Sequence, residues 1–235
     1  MNKYLSIITL NVNGLNAPIK RHRIAEWIRN HDPHICCLQE THLRTKDLHG
    51  LKVKGWKQIF QANGQEKNAG VAILTSDEID FKKRTTKRDL DGHFIILKGT
   101  NHQEDINIVN IYAPNIGALK YIKKILEDFK NDIDSNTIIV GDFHTLLSKM
   151  HRSSKQNINK PIVALDNALD EMHLTDIYRV FQSNQRNKIH ILWNAYGTFS
   201  QIDQMNRTQN KPQQVQENWN HIKPFLWPQG TETSN

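Results

Sequence analysis

Five polar residues stand directly behind apolar, β-branched runs. Asn11 follows "LSIITL", Glu40 closes "ICCLQE", Tyr112 follows "INIVNI", Asp142 follows "TIIVG" and Asp203 follows "TFSQI". In an α/β sheet the residues just past the carboxyl ends of the strands collect along one rim, where ligand sites form. Glu40, Asp142 and Asp203 are hard oxygen ligands of the kind Mg²⁺ takes one or two at a time, beside waters and phosphate oxygens. Such an ion polarises a phosphoryl oxygen and stabilises the leaving group. A tyrosine hydroxyl and an asparagine amide can donate to a phosphate as charge develops on it. The chemistry to which these types and places point is metal-assisted phosphoester hydrolysis.

Taken singly, each residue has a commoner structural use. Asp142 after Gly141 could begin a turn, Glu40 could pair with Arg23 or Arg44, and Tyr112 could be a half-buried aromatic with a wet hydroxyl. The basic run "FKKRTTKRD" (81–89) reads first as a solvated loop and second as a nucleic-acid contact. The twelve histidines show no zinc spacing, and the cysteines lie in a strand-type run, so scattered surface imidazoles are the simpler reading. It is the repetition at five strand ends that favours a site.

The elements that must position these residues are short. Strands are expected at 5–10, 35–38, 71–74, 94–97, 106–111 and 137–140. Helices are expected where apolar residues recur with helical spacing: Ile24, Trp27 and Ile28; Ile122, Ile125, Leu126 and Phe129; and Leu165, Ala168, Leu169 and Met172. Strands and helices mixed along one stretch imply a single α/β or α+β domain.

A chain of 235 residues can bury one large core. The formal charge of +7 and the pI near 9.3 favour an anionic partner. Cys36 and Cys37 are adjacent, cannot readily pair with each other and suggest a reducing compartment. No apolar stretch reaches membrane-spanning length, and "YLSIITL" lacks a cleavage site for a signal peptide. A nuclear or cytoplasmic monomer with no membrane partner is the expectation.

The strings "ITLNVNGLNAPIKRHRIAEWI", "DPHICCLQETHL", "NIVNIYAPN", "IIVGDFHTLLS", "LTDIYR" and "GTFSQID" closely resemble the endonuclease domain of LINE-type retrotransposon polyproteins. That domain is a branch of the exonuclease–endonuclease–phosphatase family, with the apurinic endonucleases and DNase I. The resemblance runs nearly unbroken from Ser6 to Asp203. It implies a DNase I-like four-layer α/β sandwich, two packed mixed sheets with helices outside, and Mg²⁺-dependent nicking of DNA. Asn11 would then position the phosphate or a metal water, Glu40 would ligate the metal, and Tyr112 would contact the scissile phosphate. Asp142 would orient or deprotonate the attacking water, and Asp203 would support the metal and the catalytic histidine. Asn13, Asn115 and His190 would line the substrate surface.

Three departures stand out. His144 occupies the position where the family has an asparagine that donates to the phosphate. His190 stands where a hydroxyl is expected. The family's terminal Ser-Asp-His has no counterpart, for no Asp-His dipeptide occurs in these residues. From residue 204 the chain turns rich in Gln and Asn. Back-translated with ordinary codons and read one base later, "NKPQQVQENWNHIKPFLWP" gives "TNLNKFKKIGIISSLFYGH", which resembles the family's segment before its last strand. We therefore expect a domain at 1–203, a divergent and disordered tail at 204–235 arising from a frameshift, and loss of the C-terminal strand. An imidazole N–H at His144 can still donate to phosphate, but nothing visible replaces the terminal pair. The expected outcome is an endonuclease with lost or strongly reduced activity. The alternatives are a non-catalytic nucleic-acid binder and a phosphomonoesterase.

Overall fold

The computed structural model describes residues 5–44, 51–64, 69–143, 167–172, 174–176 and 189–194. They hold ten strands, two α-helices, a 3-10 turn (Lys130–Asp132) and helical residues at 167–171: β1 (Ile7–Asn11), α1 (Pro18–His31), β2 (Ile35–Gln39), β3 (Gln58–Ala62), β4 (Val71–Thr75), β5 (Phe81–Arg88), β6 (Phe94–Asn101), β7 (Glu104–Tyr112), α2 (Ala118–Asp128), β8 (Thr137–Asp142), β9 (Leu174–Asp176) and β10 (Ile189–Asn194). They form a four-stranded sheet in the order β1-β2-β4-β3 and a six-stranded sheet in the order β5-β6-β7-β8-β10-β9. Both are mixed. β1 and β2 run parallel, as do β7 and β8, and the other pairs are antiparallel.

Alternation along the strands sorts the apolar residues into layers. Ile7, Ile35, Cys37 and Ile73 of the first sheet face Ile95, Leu97, Ile108 and Val140 of the second, forming the core between them. On the outer side of the first sheet, Leu10, Cys36, Leu38 and Leu74 pack on Ile24 and Ile28 of α1. On the outer side of the second, Ile96, Val109, Ile111 and Ile139 pack on Ile122, Ile125 and Leu126 of α2. The arrangement is helix, sheet, sheet, helix, the expected four-layer sandwich. Ala168, Leu169 and Met172 of the third expected helical face join the outer core, while Leu165 lies outside the described residues. Cys36 and Cys37 point to opposite sides of β2 and belong to different cores. Burial pushes the Cys36 thiol up to about 12, which makes it a small hydrophobe rather than a nucleophile.

The α1 helix starts at Pro18, whose missing N–H and fixed φ suit a first turn. It ends at Asp32, in the left-handed region at φ 46°, whose N–H returns to the Ile28 carbonyl. Arg29 and His31 in its last turn suit the negative end of the helix dipole.

The strands β3, β5 and the three-residue β9 are not announced by the sequence. The run 81–89, expected as a loop, forms β5 over Phe81–Arg88, an edge of the larger sheet. It lacks apolar alternation because residues 82–85, 87 and 88 are exposed; Phe81 alone is buried. Arg84 pairs with Asp105 at 2.8 Å and Lys82 with Asp80 at 3.1 Å. Charged side chains and a register shift between Lys83 and Thr85 are what keeps an edge strand from recruiting another chain. β3 was masked by Gln58 and Gln61. His190 lies on β10, where it pairs with Gly141 of β8. The division at Asp203, the 204–235 tail and the strand expected before Asp203 lie outside the described residues. Among the described residues no helix is long and apolar enough to cross a membrane.

A buried polar cluster ties the sheets together. Asn110 of β7 donates through Nδ2 to the Leu38 and Ala72 carbonyls, each at 3.0 Å. Its Oδ1 accepts from Gln39 Nε2 at 2.6 Å, and the same Nε2 reaches Thr9 Oγ1 at 2.9 Å. Both amides are fully buried. Removing one member strands the others in a dry interior, at about 1–3 kcal/mol for each orphaned group. Asn110→Ala is expected to lower unfolding stability by about 2–4 kcal/mol, read from the urea midpoint at unchanged slope; a loss below about 0.5 kcal/mol would contradict the role assigned to the cluster.

Candidate active site

In each parallel pair a helix returns the chain, so both strands end at the same rim. Asn11 lies beside Gln39 at the end of β1 and β2, and Tyr112 beside Asp142 at the end of β7 and β8. Four of the five residues singled out by sequence are thus at the ends of two parallel strand pairs on facing sheets.

Asn11 Nδ2 donates to Asp142 Oδ2 at 2.7 Å, linking residues 131 positions apart. Asn11 Oδ1 accepts the Asn13 N–H at 3.0 Å, which settles the orientation of the amide, because only its nitrogen side can donate. Asn13 sits at φ 44° to make that turn. Asp142 is 3% exposed, so its carboxylate is held by neighbours rather than by solvent. Gly141 before it lies against β7, where a Cβ would collide with the Ile111 carbonyl oxygen. The glycine lets the two strand ends approach.

Glu40 leaves β2 in the left-handed region at φ 53°, which turns its side chain out of the strand's alternation. The Tyr112 hydroxyl hydrogen-bonds Glu40. Burial, then that bond, then the charges of Glu40 and Asp142 all raise Tyr112 well above the ordinary tyrosine value of 10.0. It is a neutral hydroxyl bonded to Glu40 within the field of Asp142.

The Tyr112 ring has a second support. Its backbone N–H donates to the His93 carbonyl at 2.7 Å, and the His93 ring lies parallel to it at 6.2 Å. Asp89 accepts the His93 N–H at 2.8 Å and stands 3.4 Å from its Nδ1. Burial opposes the Asp89 charge, but the bonds and charge of His93 outweigh it and hold the carboxyl below its usual range. Sequence reading passed over His93 and Asp89, which lie in a hairpin with no motif of obvious chemistry. It also passed over Gln39, Asn110 and Thr9, although a lone amide inside "ICCLQ" or "NIVNI" is a detectable signal, since a buried polar group must find a partner.

Asn115 is exposed on the loop after β7. His144 and Asp203 lie outside the described residues, and His190 is placed by its backbone pairing alone. Among the described residues no three His, Cys, Asp or Glu side chains converge as a metal cage. A rim offering Glu40 and Asp142, with amide and hydroxyl donors between, is poor for zinc. It fits Mg²⁺, which keeps waters and takes phosphate oxygens beside one or two carboxylates.

The sequence profile of the Endonuclease/Exonuclease/phosphatase family matches residues 8–143, more than half of the chain. The chain belongs to the endonuclease/exonuclease/phosphatase family. Over 179 residues it is 27% identical to the Transposon TX1 uncharacterized 149 kDa protein of Xenopus laevis, covering 74% of this chain and 14% of that protein. Over 118 residues it is 30% identical to the DNA repair nuclease APEX1 of Danio rerio, covering 47% of this chain and 36% of that protein. The chain thus spans well under two thirds of either relative. Its fold matches the APE2 catalytic domain of Xenopus laevis with a TM-score of 0.64 at 16% identity, over 81% of this chain and 82% of that one. It also matches an AP endonuclease of Archaeoglobus fulgidus with a TM-score of 0.58 at 19% identity, over 81% and 87%. At such identities the likeness is one of fold, the DNase I-like sandwich.

The raised Tyr112 has a thermodynamic consequence. Below about pH 10 both folded and unfolded chains keep the phenolic proton; above it the unfolded chain releases a proton that the folded one retains. Stability therefore falls as pH rises past 10 and continues to fall until the folded group titrates. Urea unfolding at about pH 8 and pH 10.5 should show this alkaline loss, and Tyr112→Phe should make it smaller. An identical loss in the variant would contradict the environment described for the hydroxyl.

Proposed function

We propose that this chain is a DNA endonuclease domain of the LINE retrotransposon type, hydrolysing a phosphodiester bond with Mg²⁺, and that its activity is strongly reduced. The observation that carries the reading is the pairing of Asn11 with Asp142 across the two sheets, beside the Tyr112 bond to Glu40. They support it by bringing two carboxylates and two neutral donors to the same rim. The similarity to a transposon protein supports the LINE assignment.

Glu40 and, from its position in sequence, Asp203 would hold the ion, whose chemistry would be to polarise the phosphoryl oxygen. Asp142 orients a water and accepts its proton, in an orientation fixed by the Asn11 amide. Tyr112, protonated at neutral pH as any tyrosine is, donates to a phosphate oxygen as charge builds there. The Asn13 backbone holds the Asn11 amide so that its nitrogen side faces Asp142.

The reduction in activity rests on His144 in place of an asparagine and on the absence of an Asp-His pair from these residues. Loss of one preorganised donor costs about 10²–10³ in rate, and losses within one catalytic unit do not simply add. The substrate is DNA, consistent with the net charge of +7. The 1–203 domain acts as a monomer inside the cell, and 204–235 contributes nothing to the chemistry.

Nicking of supercoiled plasmid with Mg²⁺ tests the reading. Unaltered protein should nick slowly or not at all, His144→Asn should raise the rate, and Glu40→Ala should abolish what nicking there is. Fast nicking by the unaltered chain would contradict the reduced activity, and nicking indifferent to Glu40→Ala would contradict the site.

A further inference from the structure

The hairpin between β5 and β6 is bonded to both sides of the site. Its Gly92 carbonyl accepts the Gly70 N–H at 3.0 Å, and the Gly70 carbonyl accepts the Thr41 N–H, also at 3.0 Å. Thr41 directly follows Glu40. The next carbonyl of the hairpin, that of His93, accepts the Tyr112 N–H at 2.7 Å. Two consecutive carbonyls thus reach toward the two residues whose side chains meet across the sheets, one through Gly70 and one directly. Gly92 takes φ 81°, and a Cβ there would stand 2.7 Å from the Gly64 nitrogen, so this approach needs glycine.

Asp89 fixes the hairpin from inside. Its Oδ2 accepts the His93 backbone N–H at 2.8 Å and stands 3.4 Å from His93 Nδ1. Its own N–H donates to the Phe94 carbonyl at 3.1 Å. With Nδ1 turned to the carboxylate, Nε2 is the nitrogen left to take up a proton. The imidazole lies between two phenol rings, parallel to Tyr112 with centroids 6.2 Å apart and tilted at 5.6 Å to Tyr121 of α2. A neutral imidazole stacks on such rings, and an imidazolium is also drawn to their faces.

The ionisable groups around His93 are Asp89 and Asp91 on the hairpin, Tyr112 on β7 and Tyr121 on α2. Arg88, the cation next along the hairpin, is exposed. Burial opposes the charge of Asp89, but the bonds and charge of His93 outweigh it and hold the carboxyl below its usual range. Burial, then the charges of Asp89 and Asp91, raise Tyr121. Both phenols therefore stay neutral, and the negative charge beside the imidazole is carboxylate.

We propose that His93 is a positioning residue for the Tyr112 hydroxyl, and that it holds the tyrosine on Glu40 more firmly when its imidazole is protonated. The Tyr112 backbone is fixed by strand pairing, but its ring can still turn about its side-chain bonds, and the flat face of His93 closes one side. A proton on Nε2 adds attraction to both rings and strengthens the pairing with Asp89. The extra hold is present while His93 is charged and is lost as pH rises through the histidine range, about 5 to 8. It acts on rate rather than on affinity, because the hydroxyl matters most as charge builds on the phosphate. The proposal rests on the phosphodiester-cleaving reading of the site and adds what sets its tyrosine.

The test follows the Tyr112 hydroxyl by NMR, in protein carrying ¹³C at the tyrosine ζ carbon, with the signal assigned by its loss in Tyr112→Phe. Glu40→Ala should displace that signal in the otherwise unaltered chain, because the hydroxyl loses its carboxylate. In His93→Ala the same change at Glu40 should leave the signal in place, the hydroxyl having already left Glu40. In His93→Phe, which keeps a flat ring, it should displace the signal again. Plasmid nicking with Mg²⁺ is measured in the His144→Asn background. There His93→Ala should lower kcat about tenfold at unchanged KM. With His93 intact, the ratio of kcat at about pH 6 to that at about pH 8 should exceed the ratio in His93→Phe by about two- to fivefold. A signal displaced by Glu40→Ala as far in His93→Ala as in the unaltered chain overturns the positioning role and leaves the nuclease reading standing. Equal pH ratios with and without His93→Phe overturn the part given to the proton. No nicking in the His144→Asn background, with the signals behaving as described, contradicts the nuclease reading and upholds the positioning of Tyr112. If His93→Ala does not fold, the pH ratio of the folded His93→Phe protein decides alone.

Discussion

The hydrogen bond between Gln39 and Asn110 is the constraint on which the rest of the structure depends. Two sheets held only by aliphatic packing can slide, because dispersion and burial have no direction. The Asn110 amide gives the interface a direction. It reaches two carbonyls of the smaller sheet and receives Gln39 from the same sheet, so one relative placement satisfies it and neighbouring placements do not. Gln39 directly precedes Glu40, and Asn110 lies two residues before Tyr112, on the same face of β7. The lock is one step below the functional rim. Its cost is also visible: Gln39 Oε1 is buried with no partner among the described residues.

From that placement the site follows. With the sheets in register, Asn11 from one meets Asp142 from the other, and Tyr112 from the second meets Glu40 from the first. Each contact crosses between the sheets, so the site exists only in the docked sandwich. The Tyr112 hydroxyl is held by Glu40 in the field of Asp142, and the Asn11 amide restrains Asp142. A neutral donor steadies the carboxylate and leaves in place the charge with which it draws a proton from water.

Much of this was legible in the residues, and the limits have physical causes. The central strands announce themselves by apolar β-branched runs, and the polar residues at their ends mark the rim. The four layers follow from the family resemblance and are matched by the observed cores. β5 was missed because an edge strand with both faces wet has no period-two pattern to detect. The meeting of Asn11 with Asp142 is invisible in sequence, since it depends on how two sheets dock and not on either strand. Gln39 and Asn110 are in plain view in the sequence, where an amide inside an apolar run is a demand for a partner. His93 was overlooked because its work is done by its backbone carbonyl and its ring plane, which no spacing encodes.

The most direct measurement is the affinity of the folded protein for Mn²⁺, used as a paramagnetic stand-in for Mg²⁺, in the unaltered chain and in Asn110→Leu. Asn110 touches no atom of the metal site, and leucine preserves much of its volume. If the inter-sheet lock fixes Glu40 at the rim, the variant should remain folded yet bind Mn²⁺ about tenfold or more weakly, as when a ligand's supporting partner is lost. A folded Asn110→Leu protein that binds Mn²⁺ as tightly as the unaltered chain would show that the lock serves stability alone and contradict the account.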